Sequence, residues 1–229
     1  MRKKPFVEGE FYHIYNRGVE KRSVFLDNSD VERFFLALRE FNSKQTTGSL
    51  YEKPFIDKRL EKLGYPPING AKSPLVKFVA YAINPNHYHF LVQPTAEKGI
   101  ERFMQRLNMG YSKYFNARYK RKGRLWESGF QAKHVDSDEY LLHLSVYINL
   151  NHQAHSFGHA VSKLARTSWS EYLGDNAGTI CDKSLILSQF GSPKEYREFA
   201  EASLQDIVEN KFGHEVSKWD KEARLGTEV

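Results

Sequence analysis

The chain has little of what would crosslink a protein or hold it in a membrane. Its 229 residues include a single cysteine, Cys181. A disulfide framework and a thiolate zinc site are therefore both excluded, which fits a reducing compartment. The basic N-terminus is followed by Pro5, Glu8 and Glu10 rather than by an apolar run. We predict a cytoplasmic protein with no signal peptide, no membrane span and no membrane contact.

Acidic residues are missing where basic residues are densest. Between Arg102 and Arg124 there are eight basic residues and no acidic one, and tyrosines are interleaved with them. The whole chain has a formal net charge of +6. A solvated helix face has a similar charge pattern, but the complete lack of carboxylates among aromatic residues favours a nucleic-acid partner. A glycine-rich phosphate loop and the carboxylate cluster of magnesium-dependent nucleases are also missing.

The periodicity of apolar residues predicts an α+β fold. Extended segments alternate with helical ones in the order β–α–β–β–α–β, which is the ferredoxin-like plan of an antiparallel sheet with two helices on one face. Capping boxes at Ser29 with Glu32 and at Asp136 with Glu139 predict the starts of two helices. The predicted strands cover residues 11–17, 76–83, 87–92 and 130–135, and the predicted helices begin at 29, 99 and 137 and end near 41, 122 and 155.

Two further regions surround this pattern. Residues 45–74 contain four of the eight prolines and read as a surface insertion. Residues 156–229 read as a mostly helical C-terminal extension with a highly charged end. We therefore divide the chain into a catalytic domain, 1–155, and the extension, 156–229.

The most informative stretch is NPNHYHFLV, residues 84–92. A turn runs into a strand whose side chains alternate between faces, so that Tyr88, Phe90 and Val92 face a core while His87 and His89 face the other way. Two imidazoles placed at i and i+2 can bind one divalent metal ion. Two half-exposed histidines on an ordinary sheet would give the same pattern.

Four motifs, in the same order along the chain, resemble one family. These motifs are FYHIYNRG (11–18), NPNHYH (84–89), GRLWE (123–127) and YINLN (147–151). Together they resemble the single-tyrosine HUH nucleases, namely the IS200/IS605-like transposases and, most closely, the REP-associated tyrosine transposases.

The resemblance implies specific roles for these residues. Tyr147 would be the catalytic nucleophile, and His87, His89 and Asn151 would hold a divalent metal ion, Mg²⁺ or Mn²⁺. The family places its tyrosine four residues before an amide side chain on the same helix, and among the predicted helices only Tyr147 with Asn151 matches. The family usually continues with proline after the amide, whereas this chain has His152, so an approach of His152 or His155 to the metal stays open.

Candidate DNA contacts come from two sources. The resemblance assigns Arg17 and Trp126 to the nucleic-acid site. The spacing of basic residues places a second set on one face of the long helix, where it would follow a phosphate backbone. This basic stripe comprises Arg102, Arg106, Lys113, Lys120 and Arg124.

The resulting hypothesis is a metal-dependent, single-stranded DNA endonuclease and strand transferase that cleaves near hairpins through a 5′-phosphotyrosine. One alternative is a non-catalytic single-stranded nucleic-acid-binding module, which would use aromatic residues on an open sheet face. Another is a metallohydrolase in which Tyr147 is structural. The sequence leaves open the DNA target, the metal, and the choice between a monomer and a homodimer.

Overall fold

The computed structural model describes residues 5–45, 50, 73–154, 163–174 and 180–209. These residues form one antiparallel five-stranded sheet in the order β4-β1-β3-β2-β5. The strands are β1 (Phe11–Arg17), β2 (Val76–Asn84), β3 (His87–Pro94), β4 (Gln131–Val135) and β5 (Arg166–Thr167). The first four strands have the ferredoxin-like arrangement, so the predicted α+β fold is confirmed. β5 is too short to produce a sequence pattern and was not predicted.

Four long α-helices and three short ones occur in the described residues. They are α1 (Asn28–Phe41), α2 (Gly99–Arg118), α3 (Asp138–Asn149), α4 (Asn151–Ala154), α5 (Trp169–Tyr172), α6 (Ser184–Leu187) and α7 (Pro193–Glu209). Both predicted capping boxes are wrong by one or two residues. The side chain of Asp27 accepts from the Asp30 amide, and that of Ser137 accepts from the Tyr140 amide. Both caps are thus preferred N-cap residues that lie beside the predicted ones.

The first core lies between the sheet and helices α1 and α2. Tyr88, Phe90 and Val92 are buried there, as the strand alternation predicts. Phe34 of α1 packs its ring against both Tyr88 and Phe90. Burying each such side chain contributes roughly 1.5–3 kcal/mol, so this layer holds the histidine strand firmly in the sheet.

The second core lies on the opposite face of the sheet, under α3 and α7. Small side chains, Ala80 and Ala82, let α3 approach β2 closely, and Leu144 and Ile148 pack in the same cluster. A register shift between Phe78 and Ala80 marks a β-bulge in β2. Such a bulge adds one residue and re-aims the side chains around it.

The C-terminal segment shares this second core. The Tyr196 hydroxyl in α7 lies 3.1 Å from Ser145 Oγ and accepts from Asn149 Nδ2 at 2.9 Å, and both partners belong to α3. Ser168 Oγ donates to Asn149 Oδ1. The helix that carries Tyr147 is therefore bonded across the predicted boundary at 155 to residues of the extension, and the domain division remains a prediction.

Some predictions fall on residues that the structure does not describe. Most of the predicted insertion, 45–74, lies outside the described residues, as do His155 and the charged end of the chain. Among the helices that the structure describes, none is long and apolar enough to cross a membrane.

Candidate active site

Three adjacent strands bring the candidate site residues into two cross-strand rows. In the first row Arg17 of β1 lies opposite His87 of β3, which lies opposite Asn84 of β2. In the second row, Tyr15 and His89 are opposite each other. Directly opposite residues project to the same face of a sheet. This face is the one covered by α3, so the predicted placement of both histidines beneath the tyrosine helix is what the structure shows.

His87 is held in one orientation by its neighbours. Asn86 Nδ2 donates to the Lys21 carbonyl at 3.1 Å, which directs Asn86 Oδ1 toward His87 Nδ1 at 2.6 Å. Because a carboxamide oxygen only accepts, His87 Nδ1 carries the proton and donates it. His87 Nε2 therefore keeps its lone pair.

That lone pair and one oxygen of Asn151 converge on the same point. Asn84 Nδ2 lies there, 2.9 Å from His87 Nε2 and 2.6 Å from Asn151 Oδ1. All three side chains are almost completely buried. An imidazole nitrogen and an amide oxygen are both ligands for divalent cations, so the donor set fits the metal that the sequence predicts.

The other histidine of the pair, His89, lies between His13 and Tyr147. His89 Nδ1 is 3.0 Å from His13 Nε2, and both rings are completely buried. Burial, and secondarily the charges of His89 and Lys133, keep the pKa of His13 well below its usual value. Within the described residues, no group of three or more histidine, cysteine or acidic side chains could hold a metal ion. A metal at this site would therefore depend on amide oxygen as well as on imidazole.

Tyr147 projects from α3 toward His89. The two rings meet edge to face, with their centroids 5.9 Å apart and an interplanar angle of 86°. The Tyr147 hydroxyl is buried, and none of the residues in the described ranges forms a hydrogen bond with it. A buried polar group with no protein partner is uncommon and calls for an explanation, such as a role in catalysis.

The tyrosine and the amide do not share one continuous helix. The predicted helix, 137–155, is divided at Leu150, where α3 ends and α4 begins with Asn151. The side chain of Asn149 bonds to Tyr196 and Ser168 across the second core. The last residue of α3 is thus held by contacts outside the helix.

Arg17 and Trp126 are both largely buried. The Arg17 side chain is 6% exposed and pairs with Glu127 through both carboxylate oxygens. Trp126 is buried in the first core, where its ring meets Tyr88 at 5.2 Å. The same GRLWE motif thus supplies both the partner of Arg17 and a core residue.

The basic stripe is not a single helix face, because α2 ends at Arg118. Lys120 has a left-handed backbone (φ 51°), and Arg124 lies in the following loop. Arg102 donates to the Lys44 carbonyl at 3.0 Å, and Arg106 donates to the Ser43 carbonyl at 2.6 Å. Both arginines therefore hold the chain that follows α1. Lys113, Lys120 and Arg124 are the exposed members of the set.

Three residues of the site were missed in the sequence: His13, Asn84 and Asn86. The alternation in FYHIYNRG already places His13, Tyr15 and Arg17 on one face of β1. It does not show that β1 pairs directly with β3, which is the pairing that brings His13 to His89. The sequence pattern around Asn84 and Asn86 is that of a turn. Only the structure shows that both side chains contact His87.

Comparison with known proteins agrees with this geometry. Residues 50–151 match the family model described as "Transposase IS200 like". The matched region contains His87, His89, Tyr147 and Asn151. Over these residues the chain is similar to IS200-like transposases, and the resemblance drawn from the motifs is confirmed.

Two solved structures are similar to the chain. One is a REP-associated tyrosine transposase bound to a REP hairpin, with 14% identity over 80% of this chain and 93% of that chain and a TM-score of 0.49. The other is a transposase from Deinococcus radiodurans R1, with 15% identity over 65% of this chain and 95% of that chain and a TM-score of 0.36. No curated protein matches the sequence.

Proposed function

We propose that this transposase-like protein is a metal-dependent endonuclease and strand transferase acting on single-stranded DNA near hairpins. One observation carries the proposal: a buried tyrosine hydroxyl, that of Tyr147, has no hydrogen-bond partner among the described residues and adjoins His89 of the histidine pair. The family match over residues 50–151 supports the same reaction class.

The metal would be held by His87, His89 and Asn151. The lone pairs of His87 Nε2 and Asn151 Oδ1 already converge on one point. A divalent ion such as Mg²⁺ or Mn²⁺, when bound, supplies Lewis-acid polarisation of the scissile phosphate and stabilises the leaving oxygen.

Tyr147 would act as the nucleophile. A bond forms between the Tyr147 hydroxyl oxygen and phosphorus as the P–O3′ bond breaks; the phenol proton is lost, and the leaving oxygen becomes a free 3′-OH. The products are a 5′-phosphotyrosine and a DNA end that can attack it later. Because the link keeps the energy of the broken bond, rejoining needs no nucleotide cofactor.

The packing of α3 would hold the tyrosine in position. The bonds from Tyr196 and Ser168 to α3 fix that helix on the sheet, above β2 and β3. A nucleophile held in one geometry reacts much faster than a mobile one, because the orientational entropy is lost before the reaction.

The DNA strand would meet the protein through its basic side chains. Lys113, Lys120 and Arg124 are exposed and suit contacts with phosphates. Arg17 lies in the same cross-strand row as His87 and would contact phosphate near the cleaved bond after leaving Glu127. Arg102, Arg106 and Trp126 would act indirectly, because their contacts hold the loops and core around these residues.

The non-catalytic alternative receives less support. An RNA-recognition-like module binds bases on an open sheet face that carries aromatic residues. Here α3 and α7 cover the face with His87 and His89, and the opposite face lies under α1 and α2.

A hairpin oligonucleotide labelled at either end tests the proposal. The full chain is incubated with Mn²⁺ and the DNA, and then denatured. A phosphotyrosine enzyme retains the 3′ label on the protein and releases the 5′ label. A hydrolase would release both labels, and a binding module would leave the DNA intact; either outcome would overturn the proposal.

A further inference from the structure

The two histidines of β3 each have Nδ1 within hydrogen-bonding distance of a side chain supplied by the fold. For His87 this partner is Asn86 Oδ1 at 2.6 Å, and for His89 it is His13 Nε2 at 3.0 Å. The partners come from two places, the turn before β3 and strand β1. His13 is not among the proposed metal ligands.

The contact at His87 fixes a tautomer without reference to a metal. The Asn86 amide is oriented by the Lys21 carbonyl, so its oxygen faces the histidine and can only accept. His87 therefore carries its proton on Nδ1 and presents Nε2 as a lone pair.

The contact at His89 has two possible directions, because both atoms are imidazole nitrogens. If His13 donates, His89 carries its proton on Nε2 and cannot bind a metal through that atom. If His89 donates, Nε2 is a lone pair, as it is in His87. Only the second direction gives both histidines the same tautomer.

We propose that His13 is a positioning residue that accepts the Nδ1–H of His89 and thereby holds His89 in its metal-ligand tautomer. This inference rests on the proposed metal site. Histidine ligands in metalloproteins commonly donate their other ring N–H to an acceptor, and the loss of that acceptor typically costs 10–100-fold in metal affinity.

The surroundings of His13 suit such a role. The ring of His13 packs against those of Tyr15 and His89, with centroids 4.8 Å and 5.2 Å apart and interplanar angles of 37° and 23°. Both histidines are completely buried, so water does not compete for the hydrogen bond between them. The pair thus sets ring orientation as well as the proton position.

Two variants separate positioning from packing. His13→Gln places a carboxamide oxygen near the former Nε2 and retains an acceptor, whereas His13→Phe keeps a ring and loses the acceptor. We expect Mn²⁺ affinity, measured by calorimetry, to fall about 10–100-fold in His13→Phe and to be largely restored in His13→Gln. Circular dichroism confirms that each variant folds.

A second measurement uses the unmodified chain and needs no variant. ¹⁵N-labelled histidine NMR without added metal reports which ring nitrogen of His89 carries the proton. We expect Nδ1–H for both His87 and His89.

The outcomes distinguish the inference from the proposed function. If the wild type binds Mn²⁺ and His13→Phe binds it equally well, or if His89 carries its proton on Nε2, the role of His13 is overturned while the metal site stands. If the wild type and His89→Ala bind Mn²⁺ equally, the metal site itself is wrong.

Discussion

Asn84 donates a hydrogen bond of 2.6 Å to Asn151, joining the end of β2 to the first residue of α4. The same amide nitrogen lies 2.9 Å from His87 Nε2. It therefore occupies the point at which the proposed metal would meet both atoms, so metal binding would compete with the Asn84 hydrogen bonds.

Asn84→Asp tests this competition. A carboxylate cannot donate to Asn151 or His87, and it adds an anionic oxygen beside two lone pairs. We expect Mn²⁺ to bind about tenfold more tightly, equivalent to about 1.4 kcal/mol, and the metal-free protein to melt at a lower temperature. Asn84→Ala is the control, since it removes the donor without adding an oxygen. Unchanged or weaker Mn²⁺ binding by Asn84→Asp would contradict the assignment.

His87→Ala and His89→Ala should each abolish cleavage and weaken Mn²⁺ binding. Tyr88→Phe, between them, is the matched control, because Tyr88 faces the other core and donates to Asn108. Loss of that hydrogen bond should cost about 1 kcal/mol in the free energy of unfolding and leave Mn²⁺ affinity unchanged. Calorimetric titration of all three variants checks this, and equal affinities throughout would rule out the site.

Replacement of Lys113 and Lys120 by glutamine should flatten the salt dependence of DNA binding. Each phosphate contact with a single strand contributes roughly 0.7 to the slope of log affinity against log salt, so two contacts contribute about 1.4. Affinity for different hairpins should fall by similar factors. Fluorescence anisotropy over a salt series measures the slope.

The control for that experiment removes two lysines elsewhere, Lys77 and Lys194, which are 50% and 83% exposed. If the two double variants have the same slope, Lys113 and Lys120 do not contact DNA. The path of the strand would then have to lie near Arg17.

Tyr196→Phe should destabilise the protein by about 1–3 kcal/mol, because it leaves the buried Asn149 amide without its acceptor. Chemical denaturation measures the change in the free energy of unfolding. A double-mutant cycle with Ser145→Ala should show coupling between the two side chains. Additive effects would mean that α7 does not hold the tyrosine helix through this contact.

The sequence predicts the alternation of β3 and the identity of its two histidines, because a strand has a period of two. It also predicts the four main strands in their order, because extended segments and helical segments have different periods of apolar residues. It does not predict the break at Leu150. Nor does it predict that Asn149, next to the break, bonds to Tyr196 and Ser168, which are 47 and 19 residues away in the chain.

The contacts of the site itself also join residues that are far apart in the sequence. His13 and His89 are 76 residues apart, and Asn84 and Asn151 are 67 apart. Neither pair has a periodic pattern that links it. The placement of the basic stripe on one helix face was wrong for a simpler reason, because it assumed that α2 continues past Arg118.

The central claim is that Tyr147 forms the covalent link to DNA, and one measurement tests it most directly. The wild type, Tyr147→Phe and Tyr140→Phe are incubated with Mn²⁺ and a hairpin oligonucleotide labelled at its 3′ end, then denatured and separated by size. Tyr140 lies on the same helix but is buried in the second core. We predict a labelled protein band for the wild type and Tyr140→Phe and none for Tyr147→Phe, which should still bind the DNA. A labelled band of undiminished intensity in Tyr147→Phe would contradict the claim.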